Sequence, residues 1–218
     1  RLSDIFLELQ EKGATNINLV TPTHYSMEII KAVTIARENG LHIPIVYNCS
    51  GYESVKTLRL LEGIVDIYLV DYKYDDPVIA KRYSNAEDYP QVVKLALEEM
   101  VRQQGEPEFD DRDMMTKGVI VRHLLLPGYM ENSKAVVKYV YETYGDRVFL
   151  SLMNQYTPLP QVESWPELNR KVTEEEYESR LALCKDCDLL NAGTCGACGC
   201  YVELRAATTK SHCPAKKW

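Results

Sequence analysis

Six of the seven cysteines fall between Cys184 and Cys213, spaced Cys184-x2-Cys187-x7-Cys195-x2-Cys198-x-Cys200-x12-Cys213. A CxxC pair presents two thiolates to one ion from a tight turn, and two such turns complete a tetrahedral four-thiolate site. Gly193, Gly196 and Gly199 lie among them, where turns of this kind need permissive dihedrals. Zinc is the default occupant. A four-thiolate iron–sulfur cluster and disulfides in an oxidising compartment are the alternatives. Cys184, Cys187, Cys195 and Cys198 are the simplest ligand set, and Cys200 with Cys213 could displace one pair. So short a segment builds little core, so the metal would supply the folding energy.

A second set of chemistry-bearing residues follows five short apolar runs. It comprises Thr21, Thr23 and His24; Asn48 and Ser50; Asp71 and Lys73; Arg122 and His123; and Asn154, Gln155 and Tyr156. These are small hydrogen-bonding groups, one carboxylate and two permanent cations. Each alone could simply cap a strand end. Brought together, they suit a zwitterionic ligand that carries a polar sugar or a carboxylate.

The elements that would position them alternate between two hydrophobic periods. Strands are expected at 16–20, 43–47, 65–70, 118–125 and 147–152. Helices are expected from Ser3, as cap, to Lys12 and at 26–39, 53–62, 90–103 and 132–144, with 105–113 as an acidic surface excursion. Ile5, Phe6 and Leu9 would form the buried face of the first helix. The strands read as continuous apolar runs, the pattern of strands buried on both faces. Regular alternation implies parallel pairing and right-handed crossovers. A doubly wound open sheet and part of a β/α barrel both fit, and in either one ligands bind at the C-terminal strand ends. No GxGxxG or GxxxxGK[ST] follows any strand, which counts against a nucleotide-binding open sheet.

The five strand exits, VTPTHY (20–25), YNCSGY (47–52), DIYLVDYKY (66–74), VRHLLLPG (121–128) and SLMNQYTP (151–158), resemble in order those of one group. That group is the radical S-adenosylmethionine proteins related to pyruvate formate-lyase activating enzyme. The resemblance covers about residues 1–177. It implies that this is an α/β chain folded as a partial (β/α) barrel, its five parallel strands being the second to sixth of a (β/α)6 core. It also implies S-adenosylmethionine binding by Thr21, Thr23, Asn48, Ser50, Asp71, Lys73, Arg122, Asn154 and Gln155. Thr21 and Thr23 stand where the family carries a GGE-like amino-binding motif, from which this sequence departs.

The larger departure concerns the reaction centre. In the family, a CxxxCxxC loop after the first strand holds a four-iron four-sulfur cluster that cleaves S-adenosylmethionine to a 5′-deoxyadenosyl radical. No CxxxCxxC occurs in this chain, and Cys49 is alone. The resemblance therefore implies cofactors whose cluster ligands are missing, no catalytic residue in this chain, and a glycyl-radical enzyme or another protein as partner. Arg1-Leu2-Ser3-Asp4 lacks Met and has no apolar stretch of the signal-peptide kind, so a processed chain or a fragment is expected.

The C-terminal segment resembles small Cys-rich domains of bacterial and phage proteins, through CxxC, GTCGACGC (193–200) and CPAKKW (213–218). The expected organisation is a partial barrel at 1–172 and a zinc-ribbon-like module at 173–218, a fusion of two protein types. Charge divides likewise: the chain carries −7 overall, yet 179–218 hold six Lys/Arg and three Asp/Glu. The overall balance does not favour a general nucleic-acid binder, no run is long enough to cross a membrane, and a cytoplasmic location is expected. The functional expectation is a radical S-adenosylmethionine protein of the activating-enzyme type, inactive as this chain alone. The alternative is a non-catalytic interaction module built on the zinc ribbon, with Lys210, Lys216, Lys217 and Trp218 as contact surface.

Overall fold

A computed structural model describes residues 1–153, 155–173 and 175, together with the backbone at 190–191 and 194–195. In chain order the elements are α1 (Leu2–Glu11), β1 (Ile17–Val20), a 3-10 turn (Pro22–Tyr25), α2 (Ser26–Glu38), β2 (Ile45–Cys49), α3 (Val55–Leu60), β3 (Ile67–Asp71), α4 (Pro77–Ser84), α5 (Tyr89–Gln104), β4 (Glu108–Phe109), β5 (Met115–Leu124), α6 (Met130–Tyr144), β6 (Phe149–Met153), and a small antiparallel pair, β7 (Leu190–Asn191) and β8 (Thr194–Cys195).

The first six strands form one mostly parallel sheet that does not close. Its parallel strands follow the chain without a reversal, in the order β1-β2-β3-β5-β6. The short β4 pairs antiparallel with the start of β5, and its Phe109 ring meets Phe149 at 5.5 Å. The acidic excursion thus contains a strand. A further helix lies outside the expected set: α4 begins with Pro77 behind Asp76, whose carboxylate accepts the Val78 N–H at 2.7 Å, and stops at Asn85 with φ +50°.

The helices all cover one face. Ile45, Tyr47, Cys49, Tyr68, Val70, Tyr72, Val119, Val121 and Leu150 point to that side and are buried in two apolar clusters with helix residues such as Phe6, Val33, Leu58, Leu97 and Val140. The intervening residues line the other face. There Val46, Ile67 and Ser151 are buried, Val20 is exposed, and Asn48, Leu69, Asp71, Ile120, Arg122, Leu124, Phe149 and Met153 are half-buried. Burial on both faces therefore holds at Val46, Ile67 and Ser151 but not towards the strand exits, where the second face is only half-buried. The apolar runs do not alternate with polar residues because the open face is itself largely apolar. On α1 only Phe6 of the expected stripe is buried; Ile5 and Leu9 are exposed, and Ser3 lies inside the helix, with Arg1 at the cap position.

One-sided burial sets relative costs. Leu97→Ala removes a fully buried side chain and is expected to lower stability by about 2–5 kcal/mol. Leu69→Ala, on the open face, should cost well under half of that. Urea denaturation of both variants checks the contrast, and equal losses would contradict it.

Candidate functional site

Parallel register brings the charged residues together. Asp71 at the end of β3 is the register partner of Arg122 on β5, so both side chains leave the same, open face. The Arg122 guanidinium reaches Asp71 Oδ1 through Nε at 2.8 Å and Nη2 at 2.7 Å, and Nη2 also donates to Asn48 Oδ1 at 2.8 Å. Lys73 Nζ stands 3.8 Å from Asp71 Oδ2. One carboxylate therefore separates two cations from neighbouring strand ends. These groups are a quarter to nearly half exposed, so the ion pairs add little to stability. Their effect is to fix a planar guanidinium, whose fork matches a carboxylate or phosphate, at the mouth of the open face.

The backbone beneath the row is pinned by Tyr89 and Asn132, which lie outside the strand exits, together with His123. The Tyr89 hydroxyl at the start of α5 shares its proton between the carbonyl oxygens of Ser50 (2.8 Å) and Asp71 (2.7 Å), and it accepts the Lys73 N–H at 3.0 Å. Burial pushes its phenol well above the ordinary value, so it stays a donor. Asn132 on α6 accepts the Asp75 and Asp76 N–H groups and donates to the Lys73 carbonyl. His123, on the helix-covered face beside Arg122, spends its ring nitrogens on the Tyr72 carbonyl and the Ser133 hydroxyl, a structural role. Gly51 has φ +80°, and a Cβ there would stand 2.5 Å from the Asp71 carbonyl oxygen and 2.8 Å from Val93 Cγ2. Gly51 signals itself as a glycine in a polar loop; Tyr89 and Asn132 are distant in sequence and give no such signal.

The remaining expected residues are placed as follows. Thr21, exposed, takes a left-handed conformation (φ +53°), and its N–H bonds the Asn48 carbonyl. The Thr23 hydroxyl points to the carboxyl of Glu53, which is 2% exposed, at 2.7 Å. Ser50 joins the row through its carbonyl, and Gln155 is exposed. Asn154 lies outside the described residues, as do Cys184, Cys187, Cys198, Cys200 and Cys213; Cys195 is described only as backbone in β8. Among the described residues no group of three His, Cys, Asp or Glu side chains could hold a metal ion. Cys49 is buried, and burial followed by the nearby Glu53 pushes its thiol far up, so it is neither a ready nucleophile nor a ready thiolate ligand. No helix among the described residues is long and apolar enough to cross a membrane.

Residues 160–170 fold back onto the sheet unit. The Trp165 ring stands on Tyr83 at 4.9 Å, Glu167 pairs with Arg82 and accepts the Tyr83 hydroxyl proton, and Leu168 is buried. A cavity of about 410 Å³ lined by Val78, Ile79, Arg82, Tyr129 and Met130 lies beside this strap, between α4 and the start of α6.

Comparison with known proteins adds two findings. Residues 161–218 match the model of a family of unknown function, DUF6171. An uncharacterized protein of Methanocaldococcus jannaschii is 28% identical over 176 residues, which is 80% of this chain and 47% of that protein. The chain thus spans about half the length of this curated relative. The family match begins at residue 161, inside the strap that packs against α4, and not beyond it.

Gly51→Ala is expected to destabilise the chain by about 1–3 kcal/mol, from a strained dihedral and a backbone contact that cannot move aside. Gly63→Ala, where nothing stands within 4 Å of the new Cβ, separates the two terms: it carries the dihedral cost alone. Thermal denaturation should rank Gly51→Ala clearly below Gly63→Ala.

Proposed function

We propose that residues 1–172 are five of the six β/α units of a radical S-adenosylmethionine barrel of the activating-enzyme type, and that the open face of the sheet is its S-adenosylmethionine surface. The observation that carries this reading is the Asn48–Arg122–Asp71–Lys73 row at the C-terminal ends of consecutive parallel strands. The unreversed strand order and the single helix-covered face support a barrel wall over a doubly wound sheet, in which helices lie on both faces.

The residues present suit S-adenosylmethionine. The Arg122 guanidinium is a partner for the methionine carboxylate, and Asp71 and Asn48 are acceptors for the ammonium and the ribose hydroxyls. When bound, the cofactor brings a sulfonium from which a carbon-centred radical can be released on one-electron reduction. At the strand exits, the described residues do not suit the four-iron four-sulfur cluster that would supply that electron: Cys49 is the one cysteine there, and it is buried and held as the neutral thiol. This chain is thus read as a binding surface for the cofactor, with no radical step of its own. A glycyl-radical enzyme or another protein is the partner class that the reading carries.

Equilibrium dialysis of the full chain against S-adenosylmethionine tests the surface. Binding is expected, and Arg122→Ala should weaken it at least tenfold, a loss of the size of one charge-assisted hydrogen-bond pair. No binding to the wild type, or equal binding by the variant, contradicts the reading. Anaerobic reconstitution with iron, sulfide and dithionite should give no 5′-deoxyadenosine above a mock protein.

A second reading concerns the C-terminal segment, which we propose binds one zinc ion through four of Cys184, Cys187, Cys195, Cys198, Cys200 and Cys213. The pairing of Leu190 with Cys195 and Asn191 with Thr194 favours it, because the chain then doubles back between the two CxxC pairs. On this reading the module is an interaction element tethered to the sheet by the 160–170 strap. Elemental analysis should give about one zinc per chain; iron with sulfide, or fully disulfide-bonded cysteines, would contradict it.

A further inference from the structure

Two of the strand exits meet at one hydroxyl that belongs to neither of them. Tyr89, at the start of α5, is 3% exposed. Its hydroxyl reaches the Ser50 carbonyl of the β2 exit at 2.8 Å, the Asp71 carbonyl at the end of β3 at 2.7 Å and the Lys73 N–H at 3.0 Å. Its ring is placed by packing: the Tyr74 ring meets it edge-on at 5.5 Å, and the Tyr52 ring lies parallel to it at 6.1 Å. Gly51 permits the approach, because a Cβ there would stand 3.2 Å from the Tyr89 hydroxyl oxygen as well as against the Asp71 carbonyl.

We propose that Tyr89 is the positioning residue of this surface: its hydroxyl locks the β2 and β3 exits to each other and so holds Asn48 and Asp71 in the one arrangement that fixes the Arg122 guanidinium. This role rests on the reading of the surface as a ligand site, and Tyr89 acts through the row without touching a ligand. A phenol carries one proton, so the two carbonyl oxygens share it in a three-centre bond while the hydroxyl oxygen takes the Lys73 N–H. Hydrogen bonds weaken steeply with misalignment, so displacing either loop disturbs the hold on the other. The lever from backbone to side chain is short. Asp71 carries both the clamped carbonyl and the carboxylate that Arg122 grips, and Asn48, two residues before Ser50, takes the remaining guanidinium bond at 2.8 Å.

Positioning and simple packing have different consequences. The buried ring supplies apolar contact, and the hydroxyl supplies direction. Tyr89→Phe keeps the ring and removes only the oxygen, which leaves three backbone groups without that partner. Tyr68 is the matched control. Its ring is fully buried in the same apolar cluster, and its hydroxyl donates to Gln103 Oε1 at 2.7 Å, near the other end of α5 from Tyr89. Tyr68→Phe therefore removes a buried hydroxyl bond of the same kind without touching the row.

Nitrogen-15 NMR of the full chain reads the row directly at the Arg122 Nε–H, which is bonded to Asp71 Oδ1 at 2.8 Å. Tyr89→Phe is expected to speed exchange of that proton with water by about tenfold and to weaken S-adenosylmethionine binding by about tenfold, the lower end of what losing an orienting hydrogen-bond partner costs. Tyr68→Phe should change neither, although both variants lower the urea midpoint. An unchanged Arg122 signal in Tyr89→Phe, or the same change in Tyr68→Phe, overturns the proposal. The Arg122 signal needs no ligand. A Tyr89→Phe effect on it in a chain that does not bind S-adenosylmethionine therefore upholds the positioning role and removes the cofactor reading alone. Should Tyr89→Phe fail to fold, the wild-type hydroxyl decides: a resolved Tyr89 hydroxyl proton in slow exchange with water supports the proposal, and its loss to fast exchange overturns it.

Discussion

The arrangement of the strand exits depends on one electrostatic requirement. Parallel pairing places the ends of β3 and β5 one strand spacing apart, about 4.8 Å, and the two ends bring Lys73 and Arg122. Without a carboxylate between them the two like charges would repel, weakly because they are partly exposed. Asp71, the register partner of Arg122, stands within ion-pair distance of both and removes that conflict. Its position is set by backbone constraints: the Gly51 approach to its carbonyl, the Tyr89 hydroxyl on the same oxygen, and the Asn132 amide that holds the Lys73–Asp76 loop. The polar row is thus rigid because of contacts made on the helix side, while its side chains are presented on the open side.

This division of labour explains why the sheet has one dry face and one face that is half-exposed towards the strand exits. On the helix side, burial supplies the stabilising free energy. On the open side, Leu69, Ile120, Leu124, Phe149 and Met153 form an apolar floor beside Asn48, Asp71 and Arg122. An apolar floor with a few fixed polar groups is the composition of a small-molecule surface. The strap at 160–170 binds the start of the DUF6171-matched segment to α4 through Trp165 and Glu167, so that segment is anchored to the sheet unit at its beginning.

Much of this arrangement was legible in the sequence, for identifiable reasons. The five parallel strands and five of the helices were marked by apolar runs and by stop glycines at 13, 40 and 63. The convergence of Asn48, Asp71, Lys73 and Arg122 followed from placing polar residues at successive strand ends. Three features were not legible. The helix α4 is short, and with only Ile79 and Ala80 buried it leaves too few positions for a period to be read. The openness of one sheet face is hidden, because an exposed apolar strand face and a buried one spell the same residues. Glu53 reads as the first residue of a helix expected at 53–62 that in fact begins at Val55, and its carboxyl meets the Thr23 hydroxyl of the turn after β1. Its signal would have been a carboxylate in the tripeptide Gly51-Tyr52-Glu53, immediately after a loop whose glycine forces a close approach.

The central claim is that the row built around Asp71 and Arg122 is a cofactor surface and not merely a set of strand caps. The most direct measurement is an amide chemical-shift map of the full chain titrated with S-adenosylmethionine. The account predicts perturbations concentrated at residues 48–51, 71–73 and 120–124, saturating together with one affinity. Perturbations confined to residues outside the strand exits, or none as the cofactor is raised to millimolar concentration, would contradict it.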